Sequence, residues 1–84
     1  MKLKFFYDGH EIVFRRGIDN ASLIIDGVKC DEVKGLIKVQ ISSFDLYGEL
    51  SSGQKVHLEI VLGFIPDTAN LYIDDRLVES KKTL

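Results

Sequence analysis

Chemistry in this chain would have to come from a short list of residues. It comprises His10, His57, Cys30 and the carboxylates gathered at Asp26, Asp31, Glu32, Asp74, Asp75 and Glu79. Two histidines could share a metal or move a proton near neutral pH. Neither His10 nor His57 belongs to an H-x-H or H-x-x-x-H spacing. His10 follows a turn and should face Tyr7, and His57 should point to solvent. The single cysteine, Cys30, allows no internal disulfide and no thiolate zinc cluster. A nucleophilic thiol needs an electropositive pocket with a base beside it. Cys30 instead falls on the phase of Leu23 and reads as a small packing residue. The carboxylates lack the D-x-D-x-D-G spacing of a calcium loop. Paired glycosidase acids would need a pocket, which a small filled β domain rarely offers. Turn formation and solubility are the roles expected of them. The chain contains no G-x-S-x-G and no phosphate-cradling glycine loop. The expectation is no enzyme, with no catalytic residue, cofactor or metal.

The elements that would position these residues are strands. Leu3, Phe5 and Tyr7 alternate with polar neighbours, as do Ile12 and Phe14. Asp8-Gly9 between them signals a two-residue type I′ turn, which needs positive φ at both positions. That register pairs Phe5 with Ile12 and Leu3 with Phe14. Asp26-Gly27 and Asp74-Asp75 should form two more such turns. The first would pair Ile25 with Val28 and Leu23 with Cys30, and the second would send Leu71 and Val78 to one face. A three-residue loop at Ser51-Ser52-Gly53, with Gly53 left-handed, would set Gly48, Leu46 and Phe44 opposite Val56, Leu58 and Ile60. Ile37, Val39 and Ile41 alternate as well, and the phase flips at Ser42-Ser43, which suggests a turn or a corner between sheets. The LGFIPD region should be irregular, and the KKTL tail frayed.

Two segments repeat. DGHEIVF is similar to SGQKVHL, and ASLIIDGVKCDEVK to ANLYIDDRLVESKK. Each half reads as hairpin, loop, hairpin. A lone hairpin is not stable, and two amphipathic sheets must cover each other. The expected fold is therefore all-β: a small antiparallel β-sandwich or flattened barrel of about eight strands, built from two similar four-strand halves in one domain spanning residues 1–84. The repeated phrase, at Asp26-Gly27 and Asp74-Asp75, resembles that of small uncharacterised bacterial β-sandwich proteins with "YIDGKLV"-type hairpins. It is also similar to the β-sandwich repeat of the Fas apoptotic inhibitory molecule family, although this chain has no tryptophan and shorter connections. The resemblance implies an antiparallel sandwich, implies no enzymatic activity and transfers no site residue.

Composition is that of an ordinary globular chain, with 45% hydrophobic and 29% charged residues and a net charge of −2. Lys2, Lys4, Arg15 and Arg16 make a small basic end, not the stripe that binds nucleic acid. No apolar run approaches the ~18 residues of a membrane span. MKLKFFYDGHE turns polar too early for a signal peptide. A cytoplasmic location is expected.

Phe6 and Val13 share the nominally outer face with Lys2, Lys4 and Arg15, and Arg16 begins the following loop. Tyr47 and Tyr72 sit off the apolar phase of their strands. These six residues, Phe6, Val13, Arg15, Arg16, Tyr47 and Tyr72, form the candidate interaction surface. The function expected is a non-enzymatic protein-interaction domain, of the kind a small inhibitory or accessory protein uses, its partner protein unidentified and a homodimer open to it. The alternative is a small-ligand or carbohydrate-binding module using the tyrosines.

Overall fold

A computed structural model describes residues 1–36, 41–63 and 67–82. The strands are Lys2–Tyr7 (β1), His10–Arg16 (β2), Asn20–Ile25 (β3), Val28–Lys34 (β4), Ser43–Glu49 (β5), Lys55–Val61 (β6), Thr68–Ile73 (β7) and Arg76–Lys82 (β8). They form two antiparallel four-strand meanders, β1-β2-β3-β4 and β5-β6-β7-β8. The chain passes from one sheet to the other between β4 and β5, where the sequence reverses its phase. The alternating run at 37–40 and the segment Phe64–Pro66 lie outside the described residues. The tail reading needs correction: Lys81 and Lys82 belong to β8, with only Thr83 and Leu84 beyond the described residues.

The turns fix the registers. Asp8 and Gly9 have φ of 48° and 78°, Asp26 and Gly27 of 49° and 83°, and Asp74 and Asp75 of 49° and 64°. All three are positive-φ pairs, whose twist matches that of the flanking strands. At the remaining hairpin Gly53 has φ 93°, and Leu50 and Gln54 close the loop through Leu50 N to Gln54 O at 2.9 Å. The registers Phe5–Ile12, Leu3–Phe14, Gly48–Val56 and Leu46–Leu58 follow as the turns require.

One core serves both sheets. Phe5, Ile12, Phe14, Leu23 and Ile25 from the first pack with Leu46, Val56, Leu58, Ile60, Leu71 and Ile73 from the second. Phe14 and Phe44 meet across the interior with ring centroids 6.3 Å apart. The arrangement is a sandwich of two sheets and not a closed barrel. Gly48 permits close approach, since a Cβ there would lie 2.8 Å from Ile25 Cδ1 and 3.2 Å from Cys30 Cβ.

Both halves depart from the expected register at the same place. In β3–β4 the pairing shifts between Leu23 and Ile24, so Leu23 faces Asp31 and Cys30 has no partner. In β7–β8 it shifts between Leu71 and Tyr72, so Leu71 faces Glu79 and Val78 is skipped. Each is a β-bulge, one extra residue on the outer strand. The bulge overturns the packing role assigned to Cys30, which is exposed. It also turns Asp31 and Lys81 inward along the edges. Asp31 Oδ2 accepts from Tyr47 N on β5 at 2.8 Å. Lys81 Nζ donates to Lys4 O on β1 and lies 5.1 Å from the Phe5 ring centroid. Inward charges of this kind occupy edge groups that could otherwise pair with another chain.

Candidate functional site

The repeated aspartates do more than make turns. Asp26 Oδ1 accepts from Glu11 N at 2.9 Å, while Asp26 N donates to Glu11 O at 2.9 Å. Asp74 makes the same two bonds to Lys55, each 2.9 Å. Each therefore ties its hairpin tip to the next strand over. Asp26 also meets His10 Nδ1 at 2.7 Å. The His10 hydrogen bond, followed by that from the Glu11 amide, lowers the Asp26 pKa. These aspartates are structural in both halves, and among the described residues no cluster of His, Cys, Asp and Glu could hold a metal ion.

The candidate interaction residues divide between opposite faces. Phe6 and Arg15 lie on the outer face of the first sheet, with Phe6 69% exposed. Val13 shares that face but is only 5% exposed, because it stands between Lys4 on β1 and Ile24 on β3. It cannot offer the contact area expected of it. Arg16 is also corrected. It pairs with Ala21, on the inward phase, and its Nη1 reaches Asp67 Oδ2 at 3.3 Å, bridging the two sheets. Arg15, Asn20, Lys29 and Glu32 border a shallow polar hollow of about 280 Å³ on the outer face. Asn20 and Lys29 hydrogen-bond Glu32 there and lower its pKa, so the hollow is largely self-satisfied.

Tyr47 and Tyr72 come together, and the residue that joins them is His57. The register places Tyr47 opposite His57 and His57 opposite Tyr72 on the outer face of β5, β6 and β7. Tyr47 and His57 stack with centroids 4.7 Å apart and planes 14° apart. His57 and Tyr72 stack at 5.2 Å and 21°. Rings lying flat beside one another could not be so close. They must stand up from the sheet, face against face, at about the ~4.8 Å strand spacing. Asp45 Oδ1 holds His57 Nε2 at 2.7 Å. Leu77, 57% exposed, continues the row on β8 opposite Tyr72. On one side runs the polar row Asp45, Glu59, Asn70 and Ser80, tied by Asn70 Nδ2 to Glu59 Oε1 at 3.1 Å and Ser80 Oγ to Asn70 Oδ1 at 2.6 Å. On the other, Lys55 Nζ meets Glu49 Oε2 at 2.6 Å, which raises the Lys55 pKa. The sequence reading missed His57 as a member of this surface. Tyr47 and His57 lie at equal offsets from the Ser51-Ser52-Gly53 loop, a signal that would have paired these two.

Fold and face together define a class: a duplicated-meander antiparallel β-sandwich with one aromatic outer face. Comparison with protein-family models, with curated proteins and with solved structures finds no match for this chain. Among the described residues no helix is long and apolar enough to cross a membrane.

Proposed function

We propose that the chain is a non-enzymatic protein-interaction domain, of accessory or inhibitory type, binding through the outer face of β5–β8. The observation that carries this reading is the stacked row Tyr47–His57–Tyr72. Its rings hold one another upright, so little side-chain entropy remains to be lost on binding. Edge-on tyrosines offer apolar flanks and a polar tip, a combination suited to protein surfaces. Leu77 adds apolar area, and the flanking polar rows supply a rim. A face fits better than an edge, since Asp31, Lys81 and the two bulges all obstruct strand addition.

The sugar-binding alternative fares less well on the same geometry. A sugar stacks on an open ring face, yet both faces of His57 are covered and Tyr72 has one face against His57. That leaves one face of Tyr47 and the β8-side face of Tyr72, at opposite ends of the row. The test is affinity capture from the native host with the wild-type chain and with a Tyr47→Ser/Tyr72→Ser variant of unchanged fold. A protein retained by the first and lost by the second supports the reading. A thermal shift with a glycan, abolished by the same variant, would replace it with the alternative.

A further inference from the structure

We propose that the outer face of the first sheet is a second docking surface, and that it takes an acidic segment of a partner polypeptide, with one carboxylate seated in the hollow beside Arg15. This goes beyond the reading of the aromatic face and does not rest on it. The strand positions of the first face carry Lys2, Lys4, Arg15, Lys29 and Lys34 against Glu11 and Glu32. The chain as a whole has a net charge of −2, so this excess of cations is local. The second sheet has no such excess. Its outer face carries Asp45, Glu49 and Glu59 against Lys55 and Lys82.

The ion pairs within this face leave cations over. Glu11 is met by Lys4 Nζ at 3.7 Å. Glu32 lies between Lys29 Nζ at 3.3 Å and Lys34 Nζ at 3.7 Å, and Asn20 Nδ2 donates to it at 3.1 Å. One carboxylate thus serves two lysines. Lys2 and Arg15, neighbours across β1 and β2, have no acidic partner among the described residues. The hollow therefore satisfies Glu32 and leaves Arg15 unsatisfied. Ser22 stands next to Arg15 on β3, borders the hollow and is only 7% exposed. A carboxylate entering there can take two N–H groups of the Arg15 fork and the Ser22 hydroxyl, with Lys2 on its flank. Phe6, 69% exposed and next to Lys4 on the same face of β1, adds apolar area at the rim. Glu11 and Glu32 decide the class of anion. A nucleic-acid backbone or an anionic lipid surface is negative throughout and would press charge on both. A polypeptide can place its acids over Arg15 and Lys2 alone.

Titration of the isotope-labelled full chain with an oligoglutamate peptide at low salt, followed by two-dimensional NMR, tests this. Signals of Arg15, Asn20 and Ser22 should shift, and those of Tyr47, His57 and Tyr72 should not. An oligoglutamine peptide of equal length should move none of them. Arg15→Gln should weaken binding about tenfold. Arg15→Lys should recover only part of that loss, since an ammonium lacks the fork. Glu32→Gln should tighten binding by freeing Lys29 and Lys34. Circular dichroism checks that the variants are folded, and Lys2→Gln, at an exposed strand end, serves should Arg15→Gln misfold. Phosphatidylserine vesicles and duplex DNA at matched charge should bind more weakly than oligoglutamate. No shift on the first sheet, shifts centred on the second, or binding that Arg15→Gln and Lys2→Gln both leave intact overturns the inference. Tighter binding of vesicles or DNA overturns it too, and assigns the face to that class of anion. Failure of protein capture through Tyr47 and Tyr72 would remove the aromatic-face reading and leave this one standing.

Discussion

Asp75 occupies a left-handed conformation, φ 64°, that its counterpart Gly27 adopts without a Cβ penalty. Aspartate tolerates that region better than most residues but not freely. Asp75→Gly should stabilise the fold by up to about 1 kcal/mol, read as a higher urea midpoint at unchanged slope. Asp26 makes a different prediction. Its pKa is lowered by His10 and the Glu11 amide. The stabilisation it gives is present above its unfolded value near 3.8 and disappears as pH falls through the lower folded value. Urea midpoints measured from neutral to strongly acidic pH should therefore fall less steeply for Asp26→Asn than for the wild type. Its stability at neutral pH should be lower. An equal acid dependence of both proteins would show that the carboxylate bond to His10 carries no linkage.

The strands and their turns were largely legible in the sequence. Asp8-Gly9, Asp26-Gly27 and Ser51-Ser52-Gly53 announce positive φ, and alternation on either side leaves a single sensible register. The bulges at Cys30 and Val78 were not legible. No glycine marks them, and β4 and β8 carry too few apolar residues for a phase shift to show. The same lack of an apolar stripe hid the inward turn of Asp31 and Lys81. Tyr47 and Tyr72 could be picked out singly by their phase. Their union through His57 depends on β5, β6 and β7 lying side by side, which periodicity within one strand does not report. Val13 and Arg16 failed for the related reason that exposure depends on neighbouring strands. At this scale Gly48 is the informative position. Gly48→Ala would press a methyl group on Ile25, Cys30 and Leu23, where β5 meets the first sheet. It should destabilise by about 1–3 kcal/mol in urea, although alanine suits strands better than glycine.

Neither sheet can bury its inner face alone. The core residues of β2 and β3 are covered by those of β5, β6 and β7, and Arg16–Asp67 and Asp31–Tyr47 N cross between the sheets. The molecule should therefore unfold in one cooperative step. Tyrosine fluorescence reports on both halves, through Tyr7 in the first and Tyr47 and Tyr72 in the second. Its transition in urea should coincide with that of far-ultraviolet circular dichroism. Two separated transitions would mean that the halves, for all their similarity, are independent units. Each half repeats the turn, the bulge and the tethering aspartate, and the differences between them are concentrated on the outer faces. A shared frame with divergent exteriors is what the proposed interactions require.

The sandwiching of His57 has a further, spectroscopic consequence. A proton lying over the face of an aromatic ring feels that ring's induced magnetic field and resonates upfield. The imidazole of His57 lies between two such rings, 4.7 and 5.2 Å away. His10 makes its contact with a carboxylate instead. The two histidines should thus give well-separated proton signals in a one-dimensional spectrum, with the His57 carbon-bound protons displaced upfield. Any partner seated on the aromatic face would disturb the ring stack and move that signal, leaving the His10 signal in place.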